Sequence, residues 1–173
     1  MPWIFGFGSL MWNPWFEHIK RTMAILPGYH RDFISSFTRG WGSRQDPCPV
    51  LGLEPGGRCV GVAYEIESAR EEDILGHLRE FEGRGFELKK LKILVDGDEV
   101  EATVAMNTRH PMYYLGGLSI QQRAVMVGQA EGEEGTCLGY LESITEELKK
   151  MSVEDEHVDR FLALVKEDWR RGR

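Results

Sequence analysis

No apolar run in this 173-residue chain approaches the roughly 18 residues that a membrane span requires. The opening Met1-Pro2-Trp3 also lacks the basic stretch of a secretory leader. Together these absences predict a cytoplasmic protein with no membrane partner. Basic charge is short as well: 21 Lys and Arg stand against 28 Asp and Glu, a formal charge of −7. That balance offers no electrostatic footprint for nucleic acid and favours a small polar ligand. Cysteine is scarce. Cys48, Cys59 and Cys137 are odd in number, far apart and outside any Cys-x-x-Cys pattern, so they are expected to be reduced thiols rather than a disulfide framework or a metal site. No two of the five histidines are three or four residues apart, which removes the usual helical metal pair. Internal repeats and low-complexity tracts are also lacking.

What is present suffices for one sizeable core, since 42% of the residues are hydrophobic. A single domain over 1–173 is expected. Residues 3–7, 22–26 and 31–36 have strand character, with a Pro27-Gly28 turn signal between the last two. Residues 39–49 have loop composition. Residues 50–53 and 59–66 are expected to form a hairpin through Pro55-Gly56-Gly57, with Val60, Val62, Tyr64 and Ile66 on one face. A capping pair, Ser68 and Glu71, predicts a helix whose apolar stripe is Ile74, Leu75, Leu78 and Phe81, stopped by Gly83. Asp96-Gly97-Asp98 separates two further strands, 88–95 and 100–106. Ser119 with Gln122 opens a helix, and Tyr140, Ile144, Leu148 and Met151 mark one helical face. A last helix is expected from about residue 152, with Val158, Phe161, Leu162, Val165 and Trp169 inward and a basic end at Arg170, Arg171 and Arg173. Strands first and helices afterwards, without βαβ alternation, predict an α+β fold: a small mixed barrel or curled sheet flanked by helices.

Two segments carry candidate chemistry. In Phe5-Gly6-Phe7-Gly8-Ser9-Leu10, glycines spaced by two after an apolar strand let the backbone approach a ligand, and Ser9 adds a hydroxyl beside exposed N–H groups. The same residues also fit a tight strand-end turn with Phe5 and Phe7 in the core. A dinucleotide fingerprint is disfavoured, because Met11 stands where its third glycine belongs. In Leu78-Arg79-Glu80-Phe81-Glu82-Gly83, Glu82 lies at the last helical turn, where the dipole and partial burial are expected to raise a carboxyl toward the range for proton transfer. A solvated glutamate in a charged helix is the plainer reading.

At these segments the chain resembles the ChaC-type γ-glutamylcyclotransferases. Phe5-Gly6-Phe7-Gly8-Ser9-Leu10 is similar to their Phe-Gly-Tyr-Gly-Ser-Leu signature. Pro27 to Phe33, Arg39-Gly40, Leu51-Gly52-Leu53, Gly56-Gly57 and Gly61-Val62-Ala63-Tyr64 resemble its following elements in order. Glu82, four residues before Phe86 in Gly85-Phe86, is similar to the family's catalytic glutamate. Glu80 is the rival. Tyr114-Leu115-Gly116 and Tyr140-Leu141 resemble later Tyr-Leu elements. Three positions depart: Phe7 and Phe86 stand where the family has Tyr, and Cys137 where Asn is common.

The resemblance implies a γ-glutamylcyclotransferase-like fold and a reaction without cofactor or metal. The α-amine of a γ-glutamyl group attacks its own γ-carbonyl, closing 5-oxoproline and expelling the attached amine. Glutathione is the favoured substrate, with release of Cys-Gly. Glu82 is expected to be catalytic. Gly6, Phe7, Gly8, Ser9, Leu10, Met11, Arg39, Tyr114 and Tyr140 are expected to bind substrate. The alternatives are γ-glutamyl amines or amino acids as substrates, or a non-catalytic ligand-binding module of the same fold. A cysteine hydrolase is disfavoured because no Cys–His pair has a local signature.

Overall fold

The computed structural model describes residues 1–172. Among the described residues, seven strands, four α-helices and three 3₁₀ turns form two compact units. The first comprises Met1–His30 and Leu53–Thr108, the second Arg31–Gly52 and Arg109–Arg173, its final Arg lying outside the described residues. None of the helices, among the described residues, is long and apolar enough to cross a membrane.

A closed barrel runs in the order β1-β3-β2-β4-β5, and the first unit holds all of it except β2 after His30 and β3 before Leu53. Its strands are β1 (Trp3–Gly6), β2 (Lys20–Phe37), β3 (Cys48–Glu65), β4 (Phe86–Val95) and β5 (Asp98–Asn107). β1 runs antiparallel to β3 and parallel to β5, which makes the barrel mixed. The expected α+β architecture is therefore observed. β4 and β5 join through Asp96-Gly97, both at positive φ, with Val95 opposite Asp98. This two-residue link is the hairpin that Asp-Gly encodes.

Two other expected turns do not form. Pro27-Gly28 and Pro55-Gly56-Gly57 lie inside the unbroken 18-residue strands β2 and β3. Gly28, Gly56 and Gly57 adopt positive φ there, so they bend a continuing strand instead of reversing it. In β3 both faces near its end are covered: Gly61, Val62, Ala63 and Tyr64 are all buried.

Helix α1 (Glu71–Glu82) also differs from its expected start. Ser68–Arg70 forms a 3₁₀ turn, and α1 begins without a side-chain cap. Ser68 lies inside that turn, where its hydroxyl meets the Met1 sulfur at 3.7 Å instead of a backbone N–H. Phe81 is 56% exposed rather than inward-facing. The covered line follows the i, i+4 ridge from buried Ile74 through Leu78 to half-buried Glu82.

The second unit holds α2 (Ile120–Gln129), the short pair β6 (Glu131–Gly132) and β7 (Gly135–Thr136), α3 (Cys137–Lys150) and α4 (Glu156–Arg171). The Ser119–Gln122 capping box of α2 is complete, with bonds of 3.1 and 2.8 Å. Tyr140, Ile144 and Leu148 share the buried face of α3. α4 starts at Glu156, not near Ser152. Ser152 sits at φ 57° and ends α3, with Val153 N–H reaching Leu148 O. Asp155 then caps α4 through the N–H groups of His157 and Val158. Val158, Phe161, Leu162 and Val165 are buried as expected, but Trp169 is 37% exposed beside Gly128.

The cysteines are not all free thiols. Cys48, at the start of β3, and Cys137, the first residue of α3, form a disulfide across 89 positions, with Cα atoms 5.5 Å apart. The fold supplies the proximity that linear spacing hides. Cys59 lies outside this disulfide and is buried.

Candidate active site

In the barrel unit, two chain segments meet one end of β5. β1 runs parallel to β5 with Phe5 opposite Val104, so its last residue, Gly6, leads into the glycine loop near the C-terminal end of β5. β4 starts at that same end, with Phe86 opposite Asn107 and Glu87 opposite Met106. Glu82 is four residues before Phe86 and ends α1. The turn Gly83–Gly85 links helix to strand, and Thr108 N–H bonds Gly85 O at 2.7 Å. Asn107 Oδ1 accepts the Leu53 N–H at 2.7 Å, tying β3 to this end. The glycine loop and the glutamate segment therefore flank the last residues of one strand.

Local sequence explains each placement. Gly83 has φ 75° and ψ −163°, a conformation essentially reserved for glycine, and it turns the chain out of α1 immediately after Glu82. Glu82 is half-buried while Glu80 is exposed. The two carboxylates therefore differ in burial. At the loop, Gly6 is buried and a Cβ there would come within 3.0 Å of Leu10 Cβ. Across the ladder, a Cβ on Gly61 would collide with the Gly6 carbonyl oxygen and lie 2.7 Å from Phe5 Cζ. Both glycines let the loop close tightly over β3.

The loop continues as a 3₁₀ turn, Ser9–Met11. Gly8, Ser9 and Leu10 are half-buried, whereas Phe7 and Met11 are buried. The rings of Phe5 and Phe7 are therefore core elements even though the backbone beside them is accessible. Met11 N–H bonds Gly8 O at 2.9 Å, and Trp12 and Asn13 N–H groups bond Ser9 O at 3.2 and 2.9 Å. The N–H groups of Ser9 and Leu10 meet no acceptor among the described residues. Adjacent backbone donors of this kind suit an anion or a developing oxyanion.

The other expected site residues belong to the helical unit. Tyr140 is buried; its hydroxyl oxygen accepts the Leu51 N–H at 3.2 Å, and its ring lies 4.7 Å from Trp41. Tyr114 is half-buried on a segment bridged to Ser35 of β2, and Arg109 donates to its hydroxyl at 3.1 Å. Arg39 is exposed in the loop after β2, with its guanidinium 5.9 Å from the Phe37 ring centroid. Trp41 belongs to no motif of the sequence, and its one local signal is its place two residues after Arg39, between Gly40 and Gly42.

The sequence model of the ChaC-like protein family matches residues 2–168. The chain belongs to the ChaC-like family. It is 37% identical over 168 residues to the glutathione-specific γ-glutamylcyclotransferase of Escherichia coli K12, covering 95% of this chain and 72% of that protein. To the glutathione-specific γ-glutamylcyclotransferase 1 of Danio rerio it is 29% identical over 165 residues, covering 90% and 84%. The crystal structure of the yeast γ-glutamyl cyclotransferase specific to glutathione superposes with a TM-score of 0.86 at 18% identity, covering 96% of each chain. This last likeness establishes that the ChaC-like barrel and its helices share the cyclotransferase fold.

Proposed function

We propose that this chain cleaves glutathione to 5-oxoproline and cysteinylglycine. It is an enzyme of the γ-glutamylcyclotransferase class, and the observation that carries this is its 37% identity, over 95% of its length, to the glutathione-specific enzyme of E. coli. The placement of Glu82 and the glycine loop at one end of β5 supports a shared site for the chemistry.

The substrate brings its own nucleophile. Its α-ammonium loses a proton, the amine nitrogen bonds to the γ-carbonyl carbon, and the tetrahedral intermediate collapses by breaking the bond to the cysteinyl nitrogen. Glu82 takes the first proton and returns it to the leaving amine, and the second proton, shed as the ring nitrogen becomes a lactam N–H, leaves with the released amine as its ammonium. The Ser9 and Leu10 N–H groups are donors for negative charge on the substrate, either its carboxylate or the oxyanion, and the Ser9 hydroxyl assists. Holding amine and carbonyl in near-attack geometry accounts for a large part of the rate, and ring closure needs no second reactant.

The test is direct. Wild type is expected to release 5-oxoproline from glutathione. Glu82→Gln, nearly isosteric but unable to accept the ammonium proton, is expected to lower kcat by about 10²- to 10⁴-fold, the usual worth of general acid–base catalysis. Intact glutathione after prolonged incubation with wild type overturns the reading.

A further inference from the structure

The geometry points to Tyr64 and Arg21 as positioning residues that aim the Ser9 and Leu10 N–H groups at substrate by gripping the carbonyls on the far side of the loop. This rests on the loop being the γ-glutamyl site.

Tyr64 is fully buried on β3, opposite Ile4 of β1. Its hydroxyl approaches Leu10 O at 2.7 Å and Met11 O at 3.0 Å, donating one proton shared between them. Arg21, exposed on β2, donates from Nη2 to Met11 O at 2.7 Å, and it pulls the Tyr64 pKa down. The Phe16 and His18 rings pack edge-on against the phenol at 5.4 and 5.0 Å, fixing its direction. Burial raises the Tyr64 pKa above its ordinary value, against the opposing pull of Arg21, so the hydroxyl remains a donor at neutral pH.

The consequence follows from planar trans peptides, in which each N–H points opposite the preceding carbonyl. Holding the Leu10 carbonyl turns the Met11 N–H toward Gly8 O. Holding the Met11 carbonyl turns the Trp12 N–H toward Ser9 O. Both bonds are present, at 2.9 and 3.2 Å. Once the Gly8 and Ser9 carbonyls are drawn into the turn, the next N–H groups, those of Ser9 and Leu10, point the other way. Four successive carbonyls, from Gly8, Ser9, Leu10 and Met11, are then occupied by internal donors. The loop offers donors to an anion with no competing acceptor among those four.

Tyr64→Phe keeps the ring and removes the shared proton; Arg21→Gln removes the second grip at an exposed position where folding is not at stake. Each is expected to lower kcat/KM for glutathione about tenfold, the scale of one hydrogen bond lost. In a Glu82→Gln background, where turnover is suppressed, each is expected to weaken glutathione binding by calorimetry. Arg21→Lys, which retains a cationic donor, is expected to recover most of the loss. Kinetics and binding within twofold of the parent for both Tyr64→Phe and Arg21→Gln overturn the inference, as does an Arg21→Lys no better than Arg21→Gln. Should Tyr64→Phe fail to fold, Arg21→Gln decides. If wild type leaves glutathione intact but Glu82→Gln binds it and Tyr64→Phe weakens that binding, the reaction is wrong and the positioning role stands.

Discussion

In the barrel unit, ten residues of β4 pair with ten of β5 across a two-residue turn, and β1 extends that ladder on the other side of β5. The helical unit is joined differently. Cys48 bonds Cys137; Arg31, fully buried, pairs with Asp155 at 2.7 Å; and Arg123 reaches Asp32 at 3.4 Å and Phe33 O at 2.8 Å. A ladder spreads its cohesion over many backbone bonds, each modest in net worth. A disulfide or a buried ion pair concentrates it in one or two side chains, whose removal leaves a large unfolded-state gain or an uncompensated charge. The comparison teaches that single substitutions should wound the helical unit globally and the barrel unit locally, at the chemistry.

The largest expected effect is in the helical unit. The Cys48–Cys137 link closes a loop across 89 positions. By the chain-entropy account, opening it costs about 4–5 kcal/mol. Cys137→Ala, and wild type under dithiothreitol, should both shift the urea midpoint downward, and the variant should no longer respond to the reductant. Superimposable wild-type unfolding curves with and without reductant would break the comparison at its strongest point.

Next in size is a substitution in the barrel unit that acts on the site. Gly83→Ala places a Cβ at φ 75° and ψ −163°, at a cost of about 1–3 kcal/mol. Because Glu82 immediately precedes it, kcat should fall by more than the lost stability explains. Glu80→Gln, on an exposed neighbour, should leave kcat within about twofold, since exposed changes away from special features rarely matter. The pair sharpens the claim that Glu82 rather than Glu80 moves protons. A dead Glu80→Gln beside an active Gly83→Ala would reverse it.

The same division explains what the sequence discloses. The Asp96-Gly97 hairpin, the Ser119–Gln122 cap and the Tyr140–Ile144–Leu148 face depend on residues within one element, so local chemistry announces them. Gly28, Gly56 and Gly57 carry a turn composition, yet barrel pairing overrides it and the strands run on. Ser68 and Glu71 have capping spacing, but the 3₁₀ turn places the hydroxyl elsewhere. The disulfide, with partners in a strand and a helix, has no local trace at all. Of the proposed site, Glu82 and the glycine loop stand out in the sequence because each belongs to a short motif. Tyr64 and Arg21 do not, because their meaning lies in which distant carbonyls they reach.

The smallest expected effect tests that grip through pH. The Tyr64 phenol is raised above 10.0 chiefly by burial, while hydrogen bonding and attraction from Arg21 pull it down. A folded-state value above the unfolded one means that the folded state holds the proton more tightly. The stability this gives is fully present below the unfolded value and is lost as pH rises through the folded value. Wild type should therefore lose melting temperature faster than Tyr64→Phe above pH 10.0, with the difference between them flat at neutral pH. Arg21→Gln removes the lowering influence, so its alkaline loss should extend to higher pH than that of wild type. Identical alkaline profiles for wild type and Tyr64→Phe would mean that the phenol is not held as a buried donor. The barrel unit would then owe its loop geometry to the ladder alone.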